Sequence, residues 1–392
     1  MTLFLASVTG AEEAQVALAH GADIVDLKDP AKGALGALSE ETVQAAVAGI
    51  AGKRPVSAVI GDLPMQVEAI VGAASAMADT GVDFIKVGLF PEPGREACIR
   101  ALHALAPTTK IIGVMFADLT LDPALIRTMA DAGFAGAMLD TAGKGGGRLL
   151  DHMDIPALRE FVAACRSHGL LAGLAGSLET PDVPRLLLLQ PDVLGFRTAL
   201  CAGRVRTAPI EAAAVDVVRD LIPLDERSAA YERQRAPVDY RLLAARGYSF
   251  DPTKDAPADH VFVHDLVLPV RVGAYASEHE KPQRVRFNVD VKVLRPPHEA
   301  EDMRDVFSYD VITDGIGMIV ARGHVTLAET LAERIAALLL EHPRVVRVTV
   351  RLEKLDLGPG AVGVTIARER AADMAEVHQL YPAAKSDPNA AE

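Results

Sequence analysis

The chain has 392 residues, 50% hydrophobic and 24% charged, which describes globular protein long enough for two domains with separate cores. Its net charge of −13 and pI near 5.4 argue against nucleic acid or an anionic membrane surface as the main partner, but leave room for a local basic pocket around a small anion. Cys98, Cys165 and Cys201 are scattered without CxxC spacing, suggesting neither a disulfide framework nor a zinc site and fitting a reducing compartment.

Residues 1–10 lack a basic lead and carry only a short apolar run, so they read as a first strand rather than a signal peptide. Apolar runs such as 186–189 fall far short of the roughly 20 residues that span a bilayer, and the expected location is the cytoplasm. Up to residue 223, short apolar runs alternate with alanine-rich helical patterns. Strands are expected at 3–7, 24–28, 56–60, 84–89, 111–116, 136–140, 171–176 and 193–197, with helices such as 12–19, 40–48, 66–78, 96–105 and 156–168 between them. Eight βα units in so short a stretch fit an α/β fold of the (β/α)8 TIM-barrel type over residues 1–222. A doubly wound sheet is the second choice, weakened because Ser7-Val8-Thr9-Gly10 leads into the first helix without GxGxxG.

Polar residues cluster at the expected strand ends. Asp26 and Lys28 share a strand face at positions i and i+2; Lys86, Asp118, Asp140, Gly176-Ser177 and Arg197 sit at strands 4 to 8. In a barrel these ends converge on one mouth. Each residue alone has an ordinary reading, a solvated turn lysine or a capping aspartate, but charges inside apolar strands are costly unless used or paired. Lysines that face one another in a partly desolvated site lower each other's pKa, which favours a nucleophilic amine, and Asp26 and Asp140 can then move protons. Lys144 opens a run of glycines without P-loop spacing, which reads as a lip that lets it reach inward. The stretch 176–180 reads as a loop entering a helix whose amides hold a phosphate, with Arg197 or the amides around it completing that site. The residues alone point to a class I aldolase-like or isomerase-like enzyme for a small phosphorylated carbonyl compound.

The segments DIVDLKDPAKGALGA, PVSAVIGDLP, DFIKVGL, AMLDTAGK and LAGSL resemble, in order and spacing, the (5-formylfuran-3-yl)methyl phosphate synthases of methanofuran biosynthesis, over nearly all of 1–222. The resemblance implies condensation of two glyceraldehyde 3-phosphate molecules with loss of phosphate and water. It makes Lys28 the Schiff-base lysine and Lys86 the proton acceptor. Asp26, Asp140 and Lys144 become supporting acid–base and phosphate-contacting groups, with no cofactor.

Residues 223–257 are charged and proline-punctuated and read as a linker, with a short helix around 240–245; 371–392 read as a mobile tail. From 258 the pattern turns to period two. Val285, Phe287, Val289, Val291 and Val293 alternate with polar residues, helical stretches 311–321 and 327–340 follow, and Val346, Val348, Val350 and Leu352 alternate again before a last strand at 362–366. The order ββααββ is a small α+β unit, with Leu331, Ile335 and Leu338 on the buried face of its second helix. Lys354 falls in phase with the buried set, although snorkelling to solvent is its ordinary fate, and Glu329 reads by itself as a surface helix acid.

The motifs at 273–280, 307–309, 327–335 and 351–354 resemble dihydroneopterin aldolases over 258–370. That resemblance implies a tunnelling fold (T-fold) assembling as a homo-oligomer with sites between subunits. It makes Glu329 the anchor of the pterin edge, Lys354 and Glu278 the acid–base groups, and Tyr309 a residue that contacts or protonates near the reacting carbon. Retro-aldol cleavage of dihydroneopterin needs no lysine imine, because the pterin's own C=N bond accepts the electrons. Leu355-Asp356-Leu357 stand where many relatives have a proline close behind the lysine. His260, His264, His279, His298, His324 and His342 show no HExxH or paired spacing with cysteine, and no metal is expected. The combined expectation is a bifunctional lyase acting on glyceraldehyde 3-phosphate and dihydroneopterin. Two alternatives stand: the second domain is only an oligomerisation module, or the barrel makes another triose-derived aldol product.

Overall fold

The computed structural model describes residues 2–143, 146–222, 257–275, 278–279, 281–295, 306–357 and 360–370. The linker with its 240–245 helix, Lys144, His298 and the tail lie outside the described residues. By backbone contacts the described chain forms two compact units. One holds the elements before residue 223 and the helix Tyr309–Val320; the other holds the later strands and the helix Ala328–Leu340.

In the first unit eight parallel strands close into a barrel: β1 (Leu3–Val8), β2 (Ile24–Leu27), β3 (Val56–Val59), β4 (Phe84–Gly88), β5 (Lys110–Phe116), β6 (Gly136–Asp140), β7 (Leu171–Leu174) and β8 (Val193–Phe196). β8 pairs back onto β1, Leu3 with Val193 and Leu5 with Gly195, so the doubly wound alternative falls. Helices cover the outside and side chains fill the inside. Every residue of β2, β3, β6 and β8 is therefore buried, which is why the sequence shows apolar runs rather than alternation.

The intervening helices are α1 (Ala11–Ala19), α2 (Glu40–Ile50), α3 (Val67–Ala78), α4 (Arg95–Leu102), α5 (Ala124–Asp131), α6 (Leu149–His152), α7 (Ile155–Ser167), α8 (Asp182–Leu187) and α9 (Ala212–Leu221). Local signals start several of them: Ser39 Oγ accepts from Thr42 N ahead of α2, and Asp154 accepts from Ala157 N ahead of α7. α7 then buries Ile155, Leu158, Phe161, Val162 and Cys165, the spacing of one helical face.

Four strands end one residue earlier than expected, before Lys28, Ile60, Leu89 and Arg197, and β7 stops at Leu174, two residues before Gly176. The amides of Lys28, Ile60 and Leu89 nevertheless donate to Val8, Lys86 and Val114 of neighbouring strands at 2.8–3.2 Å. Lys28 is thus held by the barrel wall while its side chain lies at the mouth. Leu5, Ile24, Leu35, Val59, Val114, Phe116 and Met138 form one buried apolar cluster of the barrel.

The helix α10 (Tyr309–Val320) is capped by Ser308, whose Oγ accepts from Asp310 N at 3.2 Å. In the second unit β9 (Ala258–Val270), β10 (Gln283–Leu294), β11 (Val345–Lys354) and β12 (Val362–Glu369) form an antiparallel sheet in the order β12-β11-β10-β9. β10 buries every second residue. α11 (Ala328–Leu340) packs on β11 and β12 through Leu331, Ile335 and Leu339. Leu339 replaces the expected Leu338, because the i, i+4, i+8 row drifts less from the contact line than a step of three would. No helix among the described residues is long and apolar enough to cross a membrane.

Candidate active sites

Strand register assembles the deepest part of the barrel site. Ser7 on β1 lies beside Asp26 on β2, and Asp26 beside Ser57 on β3, so all three share one level of the interior. Both hydroxyls donate to the Asp26 carboxylate, Ser7 at 2.8 Å and Ser57 at 2.6 Å, and Lys86 Nζ on β4 lies 2.7 Å from it. Asp26 is wholly buried and Lys86 nearly so. Burial works to raise the Asp26 pKa, but the charges of Lys86 and Lys28 and the surrounding hydrogen bonds outweigh it and hold the carboxyl below its ordinary value. Asp26 is therefore a fixed anion that pins Lys86.

Lys28 is held differently. Its Nζ is 3.8 Å from Asp140 Oδ2, an ion-pair distance too long for a hydrogen bond, and Asp140 Oδ1 accepts from Thr141 N at 2.8 Å. Burial, and after it the charges of Lys86 and Arg206, press the Lys28 pKa below its ordinary value against the opposing pull of Asp140 and Asp26. Lys28, Lys86, Asp140, Thr141, Gly176, Ser177, Arg197 and Arg206 line one narrow cleft that opens to solvent. Asp26 does not line it, so the carboxylate facing the cleft is Asp140.

The loops around this mouth are tied down by carboxylates. Asp118 accepts from the amides of Ala142 and Gly143 at 2.8 and 2.6 Å, which fixes the backbone just after β6. Asp62 accepts from Ala34 and Leu35 at 2.9 and 3.0 Å and holds the loop after β2. Ser177 adopts a left-handed backbone, φ 49°, at the cleft rim. The helix expected to follow directly begins only at Asp182, and the Glu179 amide is already spent on the Asp182 carboxylate.

Arg197 departs from its expected role. Its guanidinium pairs with Glu13 at 2.5 Å and donates to the carbonyls of Ser7, Arg206 and Ala208, so its donors are consumed within the protein. Ser7, Ser57, Asp62 and Arg206 were missed from sequence. A serine inside an otherwise apolar strand is the signal for the first two; Asp62 and Arg206 carry none.

In the second unit Glu278 and Lys354 meet at 2.7 Å. Glu278 also accepts from Tyr275 N at 3.1 Å and from Gln283 Nε2 at 3.1 Å. The Lys354 hydrogen bond leads the effects that bring the Glu278 pKa down to about 2. Gly273 makes this approach possible, because a Cβ there would stand 1.9 Å from Glu278 Oε2. Glu329 is exposed in the first turn of α11, and Tyr309 is exposed at the head of α10, in the other compact unit. No metal-binding cluster of His, Cys, Asp and Glu occurs among the described residues.

Residues 4–219 match the family model of 4-HFC-P synthase and residues 261–367 that of dihydroneopterin aldolase. A Methylorubrum extorquens protein, provisionally named (5-formylfuran-3-yl)methyl phosphate synthase, is 46% identical over 211 residues, covering 54% of this chain and 87% of that one. The (5-formylfuran-3-yl)methyl phosphate synthase of Methanococcus maripaludis is 36% identical over 225 residues, covering 53% and 92%. Among solved structures, a Burkholderia thailendensis dihydroneopterin aldolase bound to guanine is 34% identical, covering 29% of this chain and 92% of that one with a TM-score of 0.26.

Proposed function

The chain belongs to the 4-HFC-P synthase family, with a dihydroneopterin aldolase-like domain behind the barrel, and from that premise we propose that it is a bifunctional lyase. The barrel condenses two glyceraldehyde 3-phosphate molecules into (5-formylfuran-3-yl)methyl phosphate. The second domain cleaves dihydroneopterin to 6-hydroxymethyl-dihydropterin and glycolaldehyde.

One observation carries the barrel reading: the contrast between two buried lysines, Lys86 hydrogen-bonded to a buried carboxylate and Lys28 desolvated but not so bonded, beside an open cleft. An amine of lowered pKa is neutral in a larger fraction and can attack a carbonyl. Imine formation at Lys28 expels water, Asp140 takes the α-proton, and the resulting enamine forms the carbon–carbon bond to the second triose. By mass balance, ring closure and aromatisation release one phosphate and two waters overall. Lys86 and Lys144 serve those later proton transfers and charge contacts, with the Gly176–Ser177 loop at the phosphate end. Hydrolysis returns the free Lys28 amine.

In the second domain Glu278 and Lys354 work as a proton-transfer pair and Glu329 holds the pterin edge. That domain acts as a homo-oligomer in the cytoplasm, with the domains bounded as the sequence divides them. The test supplies each substrate separately to wild type, Lys28→Ala and Lys354→Ala. Each substitution should abolish one reaction and spare the other, and borohydride with glyceraldehyde 3-phosphate should add the triose mass to Lys28. Loss of both reactions from either single change, or an unmodified Lys28, refutes the assignment.

A further inference from the structure

The residues left over once the reaction is assigned include one cation at the mouth that the sequence did not single out. Arg206 lines the same cleft as Lys28, Ser177 and Thr198. Its Nη2 donates to the carbonyls of Gly33 and Ala34 at 3.2 and 3.3 Å, which spans the end of the chain segment after β8 and the loop after β2. Its Nε–H is buried and has no acceptor among the described residues. A buried donor without an acceptor is costly, and here it leaves part of the hydrogen-bonding capacity of a cleft-lining guanidinium unspent within the protein.

No carboxylate forms an ion pair with Arg206 among the described residues, whereas Arg197 is matched by Glu13. Arg197 instead works on Arg206 from behind: its Nε donates to the Arg206 carbonyl at 3.0 Å while the same guanidinium reaches Glu13. Burial works to raise the Glu13 pKa, but the Arg197 hydrogen bond, the Thr9 amide and the Arg197 charge hold it below its ordinary value, so this brace stays charged. The loop is thereby fixed with an unmatched guanidinium facing the cleft.

We propose that Arg206 is the residue that grips the phosphate of the triose substrate, and that Arg197 is a positioning residue that sets Arg206 in place. The planar fork of a guanidinium suits two phosphate oxygens at once, and its charge is not spent on a protein anion. A phosphate held there leaves the carbonyl end of a three-carbon substrate to reach Lys28 across the same cleft. The assignment rests on the barrel acting on a triose phosphate. Free inorganic phosphate, a product of that reaction, shares the chemistry and serves as the probe.

The experiment uses the full chain with Arg206→Met, Arg206→Lys and Arg197→Lys, measuring kcat and KM for glyceraldehyde 3-phosphate and competitive inhibition by inorganic phosphate. Arg206→Met should raise both KM and the phosphate inhibition constant on the order of 10- to 100-fold with a smaller change in kcat, as loss of a charged hydrogen bond predicts. Arg206→Lys should recover part of this, since it keeps the charge and loses the fork, and Arg197→Lys should show a smaller rise in KM.

A second readout is the pH profile of borohydride trapping at Lys28 with unphosphorylated glyceraldehyde. Lys86, Asp26, Asp140 and Arg206 all act on that amine from surrounding elements, and removing only the Arg206 charge should move the midpoint to higher pH in Arg206→Met but not in Arg206→Lys. If Arg206→Met does not fold, Arg206→Lys decides: wild-type KM and phosphate inhibition overturn the proposal. A wild-type enzyme that binds phosphate through Arg206 but releases no furan refutes the reaction and leaves Arg206 assigned. A furan-forming enzyme indifferent to both Arg206 variants does the reverse.

Discussion

Asp26→Asn removes one charge and almost no volume from the most buried polar group in the barrel. In wild type the carboxylate takes two serine hydroxyls and the Lys86 ammonium, and neither Asp26 nor Lys86 has appreciable contact with water. The hydroxyls can rotate to accommodate an amide, but Lys86 then keeps a buried charge with no counter-ion within hydrogen-bond reach. Removing one member of such a pair costs about 3–5 kcal/mol. For a domain of this size that is a fall in Tm of roughly 6–20 °C. The double change Asp26→Asn with Lys86→Met should recover about 2 kcal/mol or more, because the stranded charge goes with its partner.

The chain has no tryptophan, so far-UV circular dichroism in urea, with hydrogen exchange of peptides from β2 and β4, reads the barrel transition. The pH dependence has a definite sign. Because the folded Asp26 carboxyl lies below its ordinary value, its contribution is present above pH about 4 and is lost as pH falls toward the folded value; Asp26→Asn should flatten that acid limb. A cost below about 1 kcal/mol for Asp26→Asn, or no coupling in the double variant, would refute the account of Asp26 as the anchor of Lys86.

Asp118→Ala should cost about 1–2 kcal/mol and slow furan formation, because two amides just after β6 lose their acceptor; faster exchange of the Ala142 and Gly143 amides is the direct check. Gly33→Ala should release the loop after β2, since the backbone there has φ 145° and a Cβ would lie 1.9 Å from Asp62 Oδ2; limited proteolysis near residue 33 reads this. Lys28 has a folded pKa below its unfolded value, so between the two the unfolded chain binds more protons and stability rises with pH; Lys28→Met should remove that slope in urea titrations up to pH 10. Glu278 has a linkage of the same sign at lower pH: its stabilisation is full above pH 4.5 and lost as pH falls toward about 2, and Glu278→Gln should erase that limb in acid unfolding.

How much of this was legible in the sequence depends on whether a signal was local. The barrel strands announce themselves because a parallel strand buried on both faces is an unbroken apolar run, and an intruding Asp26 or Lys86 stands out against it. Strands end a residue earlier than their sequence suggests, because Lys28 or Leu89 still donates to the neighbouring strand after the regular ladder stops. α8 was hard to see since Pro184 sits in its first turn, where proline is tolerated but breaks the periodic pattern. The division of labour among charges was not legible at all. Arg197 and Arg206 look alike in the sequence, and only the fold brings Glu13, 184 residues from Arg197, to neutralise one and leaves the other without an ion pair among the described residues.

Both units set a lysine beside a carboxylate, and the length of the contact separates the two kinds of chemistry proposed for them. Lys354 is locked to Glu278 at 2.7 Å, and Lys86 to Asp26 at the same distance. An ammonium so bonded must break a charge-assisted hydrogen bond before its lone pair can attack carbon, which suits it to donating or relaying protons. Lys28 is 3.8 Å from Asp140, where the attraction that keeps the amine protonated is weaker and burial and neighbouring cations oppose it. Of the three, Lys28 is therefore the one to which the proposed imine chemistry is assigned. Shortening that one contact, by moving the carboxylate a methylene closer with Asp140→Glu, should suppress borohydride trapping at Lys28 while leaving the protein folded. Trapping at the wild-type rate in that variant, or trapping at Lys86, would remove the distinction on which the whole assignment of roles depends.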